Sequence, residues 1–247
     1  MIIFDGKAYA KKIEEELIRS GKLAGKKLLI VSSDPENPYV RLKREFGERC
    51  EVEVVMLNSF QHRSILNRVQ DDKQSFDGIL VQLPVSDKKA LENIPLDKDV
   101  DGLRKKSKFL PAAVVAVEKI LNEAERTGSF YFDIFLKTAV VGAKGVVGSA
   151  IVARLREKGF VVKELDKGCD YGLLSDCDIV VSAVGSEGLI KPEMLMDGVV
   201  VIDLGFPKGD FDPAVVKKAI FFTPVPGGVG PVTIACLYEN LATMPVP

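Results

Sequence analysis

The sequence predicts an α/β fold built as two units of parallel βαβ packing with a cleft between them, an N-terminal α/β domain and a Rossmann-like domain with a doubly wound parallel sheet. Three observations lead there. Short apolar runs, among them Lys27–Val31, Ile79–Val81 and Lys137–Val141, alternate with amphipathic stretches. Loops rich in Gly and Pro begin where those runs stop, the place where open α/β sheets hold their ligands. The run Lys137–Val141 also feeds a glycine-containing loop, Gly142 to Gly148, that opens a further apolar-periodic helix.

Along the chain, Gly6 to Ser20 sets Ala10, Ile13 and Leu17 on one face among lysines and glutamates, with Gly21 as a stop. Lys27–Val31 is a buried strand, and Asn37-Pro38 looks like an N-cap followed by Pro at the first helical position. Val52–Leu57 is a second strand, Ser64–Val69 a helix, Ile79–Val81 a third strand and Lys88–Glu92 a short helix. Pro111–Arg126 is a long helix with Val114, Val117 and Leu121 inward, and it connects the two units. Strands then follow at Lys137–Val141, Phe160–Leu165, Asp178–Ala183, Gly198–Leu204 and Ala219–Phe222. The stretch from Thr223 to Thr233 cannot be a strand or a helix interior, because its prolines lack ladder N–H groups and its glycines favour turns. Ile234, Leu237, Tyr238 and Leu241 resume helical spacing, with Pro231 fitting a first turn.

Composition narrows the function classes. At 247 residues, 47% hydrophobic and 28% charged, the chain is long enough for one large or two modest domains with real cores. Lys and Arg number 34 against 35 Asp and Glu, with no long basic run, so nothing favours nucleic acid or an anionic membrane and a small-molecule partner is expected. No apolar segment approaches the ~20 residues that span a bilayer and the N-terminus has no signal-like core, which makes the cytoplasm the default. Cys50, Cys169, Cys177 and Cys236 form no CxxC pair, and with a single histidine, His62, no metal site is expected. The cysteines read as free, mostly packed thiols and His62 as a surface residue.

Candidate site residues fall at strand ends. Tyr39 and Lys43 are four apart on a helix that starts after a strand, so a ring and an amine share a face. By spacing alone the plainer reading is a packed tyrosine beside a surface lysine. Gln82-Leu83-Pro84 puts an amide where the third strand stops. Asp99 and Asp101 precede Gly102 and could be a plain Asx-type turn. Gly142, Ala143, Lys144, Gly145, Val146 and Val147 lie between strand and helix, where phosphate can approach backbone N–H groups, although the spacing is not GxGxxG. Asp166, with Lys167 after it, stands 24 residues beyond Gly142, where a ribose reader would sit.

Several of these segments, in this order, resemble the methylenetetrahydrofolate dehydrogenase/cyclohydrolase family over nearly the whole chain. Tyr39-Val40-Arg41-Leu42-Lys43 resembles its YVxxK element, Asp77 to Pro84 its DGILVQLP string, and Lys98 to Gly102 its KDVDG. Thr223 to Thr233 resembles its proline- and glycine-rich signature, with Val232 where Met or Phe is usual. The resemblance implies a folate domain of residues 1–112 plus 233–247 and an NAD(P)-binding domain of 113–232. It implies that Tyr39 lies against the folate, that Lys43 transfers protons with Gln82 bonded to it, and that Asp101 grips the pterin N–H groups. Leu83, Pro84 and the loop Pro226, Gly227, Gly228 and Val229 would complete the substrate site. The glycine loop resembles the family's GRSxxVG, while Ala183-Val184-Gly185 and Asp203 with Gly205 resemble its AVG and VIDVG, whose glycines, with Gly228, flank the nicotinamide half of the cofactor. The implied activity is oxidation of 5,10-methylenetetrahydrofolate with NADP⁺ and hydrolysis of the methenyl product to 10-formyltetrahydrofolate by a cytoplasmic homodimer, without metal.

Two departures stand out. The segment after Asp101 is shortened and lacks the family's PCTP element, and the Arg-Ser pair of the cofactor loop is replaced by Ala143-Lys144. Asp166 would favour NAD by accepting from a free 2′-OH, whereas Lys144 and Lys167 could neutralise the 2′-phosphate of NADP; NADP is kept ahead because the family mostly uses it. The other readings are a folate- or nucleotide-binding protein without turnover, and a different two-domain dehydrogenase such as a shikimate-dehydrogenase-like enzyme.

Overall fold

The computed structural model describes residues 1–58, 76–83, 89–131, 133 and 136–244. In chain order its elements are β1 (Ile2–Ile3), α1 (Gly6–Ser20), β2 (Lys27–Ser32), α2 (Pro38–Arg49), β3 (Glu53–Asn58), β4 (Gly78–Val81) and α3 (Lys89–Glu92), followed by α4 (Ala112–Arg126), β5 (Lys137–Val141), α5 (Val146–Glu157), β6 (Val161–Leu165), β7 (Ile179–Ser182), β8 (Val199–Asp203), β9 (Ala219–Phe222) and α6 (Val229–Ala242). The expected helix at Ser64–Val69, His62 and Pro84 lie outside the described residues. Among the described residues no helix is long and apolar enough to cross a membrane. Cys50, Cys177 and Cys236 are buried free thiols, and Cys169 is an exposed one.

The chain divides into two compact units, Met1–Tyr9 with Ala113–Thr233 and Ala10–Ala112 with Ile234–Pro247. The N-terminus therefore departs from the expected grouping of residues 1–112. Its first nine residues join the larger unit because β1 adds to that unit's sheet, Ile2 opposite Phe221 and Ile3 opposite Phe222, and because the Phe4 ring packs 5.7 Å from that of Phe221. A two-residue strand leaves no periodicity for sequence reasoning to find.

In the larger unit six strands, parallel throughout, run in the order β1-β9-β8-β7-β5-β6. β7 and β8 are buried at every position, which explains their unbroken apolar runs. β6 lies at an edge and alternates instead: Val161 is exposed, while Val162 and Leu165 are buried. Val141, Val180, Val201, Phe211 and Val215 share the core. Short 3-10 turns at Tyr171–Leu174, Pro192–Met194 and Pro213–Lys217 take the place of long crossover helices. Chain order reverses between β5 and β7, the switch point at which such sheets bind ligands.

The smaller unit holds a parallel sheet of order β3-β2-β4, with Leu28 opposite both Val54 and Gly78. β2 is central and its residues Leu28, Leu29 and Ile30 are fully buried. Two glycines allow close packing here. A Cβ at Gly78 would lie 2.8 Å from Val100 Cγ1, and one at Gly47 would lie 2.5 Å from Tyr238 Oη. Buried Lys26 donates to the Met244 carbonyl at 2.6 Å, tying down the end of the chain after α6.

Most expected elements match within a residue or two, but α6 begins at Val229 rather than after Thr233. Gly230, Pro231 and Val232 form its first turn, where the N–H that Pro lacks would have no helical acceptor.

Candidate active site

In the smaller unit the side chains converge at the carboxyl end of its sheet. The Asn37 side chain accepts from the Tyr39 N–H at 2.9 Å and Pro38 opens the helix, so α2 starts directly beyond β2. One turn in, the Lys43 ammonium stands 5.1 Å from the Tyr39 ring centroid, within reach of its negative face. Lys43 is 3% exposed, so the reading of a surface lysine is wrong.

The Lys43 ammonium donates to Gln82 Oε1 at 2.9 Å. Gln82 is held from both sides: its N–H continues the ladder to Val31 O at 2.8 Å, and its Nε2 donates to Leu83 O at 2.9 Å. The second bond fixes which way the amide points, leaving the oxygen for the amine. β2 and β4 are neighbours although β3 comes between them in sequence, so lysine and glutamine meet at this sheet's own switch point.

Asp99 and Asp101 have separate tasks. Asp99 is fully buried and makes the turn, its carboxylate accepting from the N–H groups of Gly102 at 3.1 Å and Arg104 at 2.9 Å. Gly102 is required there: its φ is +68°, and a Cβ would lie 2.5 Å from Leu110 O. A bridge between Asp99 and Ile79 sets the turn beside β4. The Asp101 carboxylate is left without a hydrogen-bond donor among the described residues, available to a ligand's N–H groups. Burial lowers the Lys43 pKa from its usual value, opposed by attraction to Asp101. Burial also raises the Asp101 carboxyl, with Lys43 opposing and Asp99 adding to the rise.

In the larger unit the loop after β5 has the shape of an anion cradle. Gly142, at φ +85°, leaves no room for a side chain, because a Cβ would sit 2.7 Å from Ala183 O. A Cβ at Gly148 would overlap Gly142 O. Gly145 caps α5 without any side-chain bond, so the first-turn N–H groups of Val146 and Val147 stay open to a phosphate. Ala143 is buried, while Lys144 and Lys167 are exposed. The Asp166 carboxylate accepts from the N–H groups of Lys144 at 3.1 Å and Lys167 at 2.9 Å, fastening the cradle to the end of β6. These residues fit a dinucleotide.

Ala183, Val184 and Gly185 follow β7 at the switch point. Asp203, expected as a cofactor contact, is 2% exposed, and its carboxylate accepts from the N–H groups of Gly205 at 2.8 Å, Asp210 at 3.0 Å and Phe211 at 3.2 Å. It shapes the loop around Gly205 instead of facing a ligand. Further on, Gly228 N–H donates to Pro224 O at 2.7 Å, and a Cβ at Gly6 would overlap Gly228 O. The turn of Pro226, Gly227 and Gly228 thus leads straight into Val229 and α6, and like Val229 it belongs to the larger unit.

Sequence reasoning missed Asp210, whose buried carboxylate gathers the loop after β7, and Tyr238, whose hydroxyl bonds the Lys43 carbonyl. Neither carried a local signal, since their partners lie 26 and 195 residues away.

Residues 112–245 match the family model described as tetrahydrofolate dehydrogenase/cyclohydrolase, NAD(P)-binding domain. The bifunctional protein FolD of Campylobacter jejuni strain RM1221 is 34% identical to this chain, covering 97% of it and 96% of the relative. The crystal structure of Trypanosoma brucei N5,N10-methylenetetrahydrofolate dehydrogenase-cyclohydrolase, complexed with NADP cofactor and inhibitor, superposes with a TM-score of 0.84 at 27% identity, covering 97% of this chain and 95% of that one. The crystal structure of the bifunctional enzyme from Campylobacter jejuni gives a TM-score of 0.81 at 33% identity over 98% and 97%.

Proposed function

The chain belongs to the tetrahydrofolate dehydrogenase/cyclohydrolase family, and from that premise we propose that Lys43, Gln82, Tyr39 and Asp101 form its folate site and the loops after β5 and β7 its cofactor site. The enzyme oxidises 5,10-methylenetetrahydrofolate to the 5,10-methenyl compound with NADP⁺ and hydrolyses that product to 10-formyltetrahydrofolate. The observation that carries the assignment of residues is a buried amine bonded to an oriented amide, with an aromatic face beside it and, within its field, a carboxylate that receives no hydrogen-bond donor among the described residues.

NADP⁺ supplies the hydride acceptor when bound, and the protein's part in that step is positioning. Gly142, Ala143, Lys144, Gly145, Val146 and Val147 would hold its phosphates. Asp101 accepts from the pterin N–H groups and Tyr39 lies against the ring, which sets the one-carbon unit in place.

Hydrolysis asks more of the side chains. Water adds to the cationic methenyl carbon and gives up a proton, and the C–N bond then breaks as the nitrogen takes one. Lys43 is suited to both transfers because burial favours its neutral form. Gln82 Oε1 holds the amine in one rotamer as it cycles.

NADP is preferred over NAD in this reading on the strength of the basic side chains at Lys144 and Lys167. The resemblance to the family supports a cytoplasmic homodimer that supplies one-carbon units to purine biosynthesis. A single assay tests the whole: purified protein with methylenetetrahydrofolate and NADP⁺ or NAD⁺, following the reduced cofactor and the methenyl chromophore separately. Absence of both signals with either cofactor would favour a folate-binding protein without turnover.

A further inference from the structure

One turn of α6, from Tyr238 to Leu241, reaches the three segments that supply Lys43, Gln82 and Asp101. The Tyr238 hydroxyl donates to the carbonyl of Lys43 itself at 2.7 Å, in the middle of α2. Asn240 Nδ2 donates to the carbonyl of Val100, the residue before Asp101, at 2.9 Å. Leu241 packs against β4 where that strand has Gly78, since a Cβ there would lie 2.8 Å from Leu241 Cδ1, and Gln82 follows directly after β4. All these residues belong to the smaller unit.

Two of the contacts are polar where packing alone needs no polarity. Tyr238 is fully buried and its ring stacks on Phe46 at 4.8 Å between centroids, a task that phenylalanine would perform as well. Its hydroxyl has room beside α2 because residue 47 is glycine, where a Cβ would lie 2.5 Å from the oxygen. Glycine inside a helix is less stable than alanine, so the sequence gives up helix stability where this hydroxyl passes. A helix-interior carbonyl already serves the ladder, and its second lone pair takes the hydroxyl. Burial holds the Tyr238 pKa above its usual value, which keeps the group a donor. Val100 is fully buried, so the Asn240 amide grips the backbone of the Asp101 turn from its inner side.

We propose that Tyr238 and Asn240 are positioning residues for the reaction, Tyr238 fixing the turn of α2 that presents the Lys43 amine and Asn240 fixing the turn that presents the Asp101 carboxylate. The proposal rests on the reading of Lys43 as proton carrier and of Asp101 as the group that grips the pterin. Both residues act through the backbone of another. Misplacing a reacting group by about 1 Å costs up to about 10²-fold, so such supports bear on rate as well as on stability. Because Lys43 serves hydrolysis and Asp101 serves binding, the two supports act on different kinetic constants.

Steady-state kinetics of both activities in the full chain test this. Tyr238→Phe, which keeps the stacked ring, is expected to lower kcat for hydrolysis of the methenyl compound about tenfold, with its KM and the dehydrogenase kcat within about twofold of wild type. Asn240→Leu, close in volume, is expected to raise the KM for the folate about tenfold in both reactions while kcat changes little. On a Lys43→Met background Tyr238→Phe should take nothing further from the residual hydrolysis, since the group it positions is gone. A merely structural role would lower all of these together.

An unchanged ratio of the two activities in Tyr238→Phe overturns the role of that residue, as does a further loss of hydrolysis on the Lys43→Met background. An unchanged folate KM in Asn240→Leu overturns the other role. Should either variant not fold, Gly47→Ala, whose methyl displaces the same hydroxyl, and Asn240→Ala take their places with the same expected split. The underlying reading fails separately. Hydrolysis retained by Lys43→Met, or a folate KM unmoved in Asp101→Asn, removes the groups being positioned, whereas losses in those variants beside inert Tyr238→Phe and Asn240→Leu remove the positioning alone.

Discussion

The Tyr238 hydroxyl donates to the backbone carbonyl of Lys43 at 2.7 Å, which ties α6 to the turn of α2 that carries the amine. The Tyr238 ring stacks on Phe46 at 4.8 Å between centroids and is fully buried. Where the hydroxyl passes, α2 has Gly47, and a Cβ there would also lie 2.6 Å from Val54 Cγ2. A glycine in mid-helix is thus explained by close packing and not by turn chemistry.

That contact predicts a reversal of the usual sign. Gly→Ala inside a helix ordinarily stabilises by about 1 kcal/mol, but overpacking costs about 1–3 kcal/mol, so Gly47→Ala is expected to destabilise. Tyr238→Phe should cost about 1 kcal/mol through the lost hydrogen bond. Because it removes the oxygen that the new methyl would strike, the double variant should lose less than the sum. Urea midpoints for the four proteins check this; strict additivity would mean that the two positions do not meet.

Lys43→Met keeps an unbranched side chain of similar length and removes the amine proposed to carry the proton. Loss of a positioned general acid-base group costs about 10²–10⁴-fold, so hydrolysis of the methenyl compound should fall by that much. Hydride transfer depends on positioning, and measurable dehydrogenase activity should remain. Retained hydrolysis would take Lys43 out of the mechanism.

How far the sequence reveals this site depends on the distance over which each part is determined. Asn37-Pro38, the four-residue step from Tyr39 to Lys43 and the strand end at Gln82 are local patterns, and the structure places lysine and glutamine 2.9 Å apart. Burial of Lys43 does not follow from spacing, because the amide that receives its amine lies 39 residues further along the chain. The division of labour between Asp99 and Asp101 was hidden for a similar reason: both suit a turn, and only the fold shows which carboxylate the backbone takes. Asp203 reads as a ligand contact through the resemblance of Asp203 and Gly205 to the family's VIDVG element, yet its partners arrive from the following loop.

The two shifted groups predict opposite pH trends in stability. With its pKa lowered from 10.5, the folded Lys43 has released a proton that the unfolded chain still holds, so stability should rise with pH between the lowered value and 10.5. With its pKa raised from 3.8, the folded Asp101 keeps a proton that the unfolded chain has lost, and stability should fall as pH rises from 3.8 to the raised value. Lys43→Met should flatten the rise and Asp101→Asn the fall. Denaturation profiles that do not respond to either substitution would show that burial does not set these protonation states. Hydrolysis by a neutral Lys43 should climb with pH as the amine loses its proton.

Cofactor choice turns on what the Asp166 carboxylate is doing. Its two oxygens accept from the Lys144 and Lys167 N–H groups, bonds that hold the backbone of both lysines while their side chains stay exposed. A carboxylate engaged in this way is less available to a ribose hydroxyl, and the two exposed lysine side chains bring positive charge to this loop that a 2′-phosphate would meet. A charge-assisted hydrogen bond of about 1.5–3 kcal/mol corresponds to roughly tenfold or more in binding. Lys144→Ala should therefore raise the KM for NADP⁺ about tenfold while leaving that for NAD⁺ nearly unchanged. The NADP⁺ preference of the wild-type enzyme should also weaken with added salt, because both lysines are exposed and screened. Asp166→Ala should loosen the cradle and weaken both cofactors; if it instead abolished NAD⁺ use and spared NADP⁺, the carboxylate would be a ribose reader and the lysines bystanders.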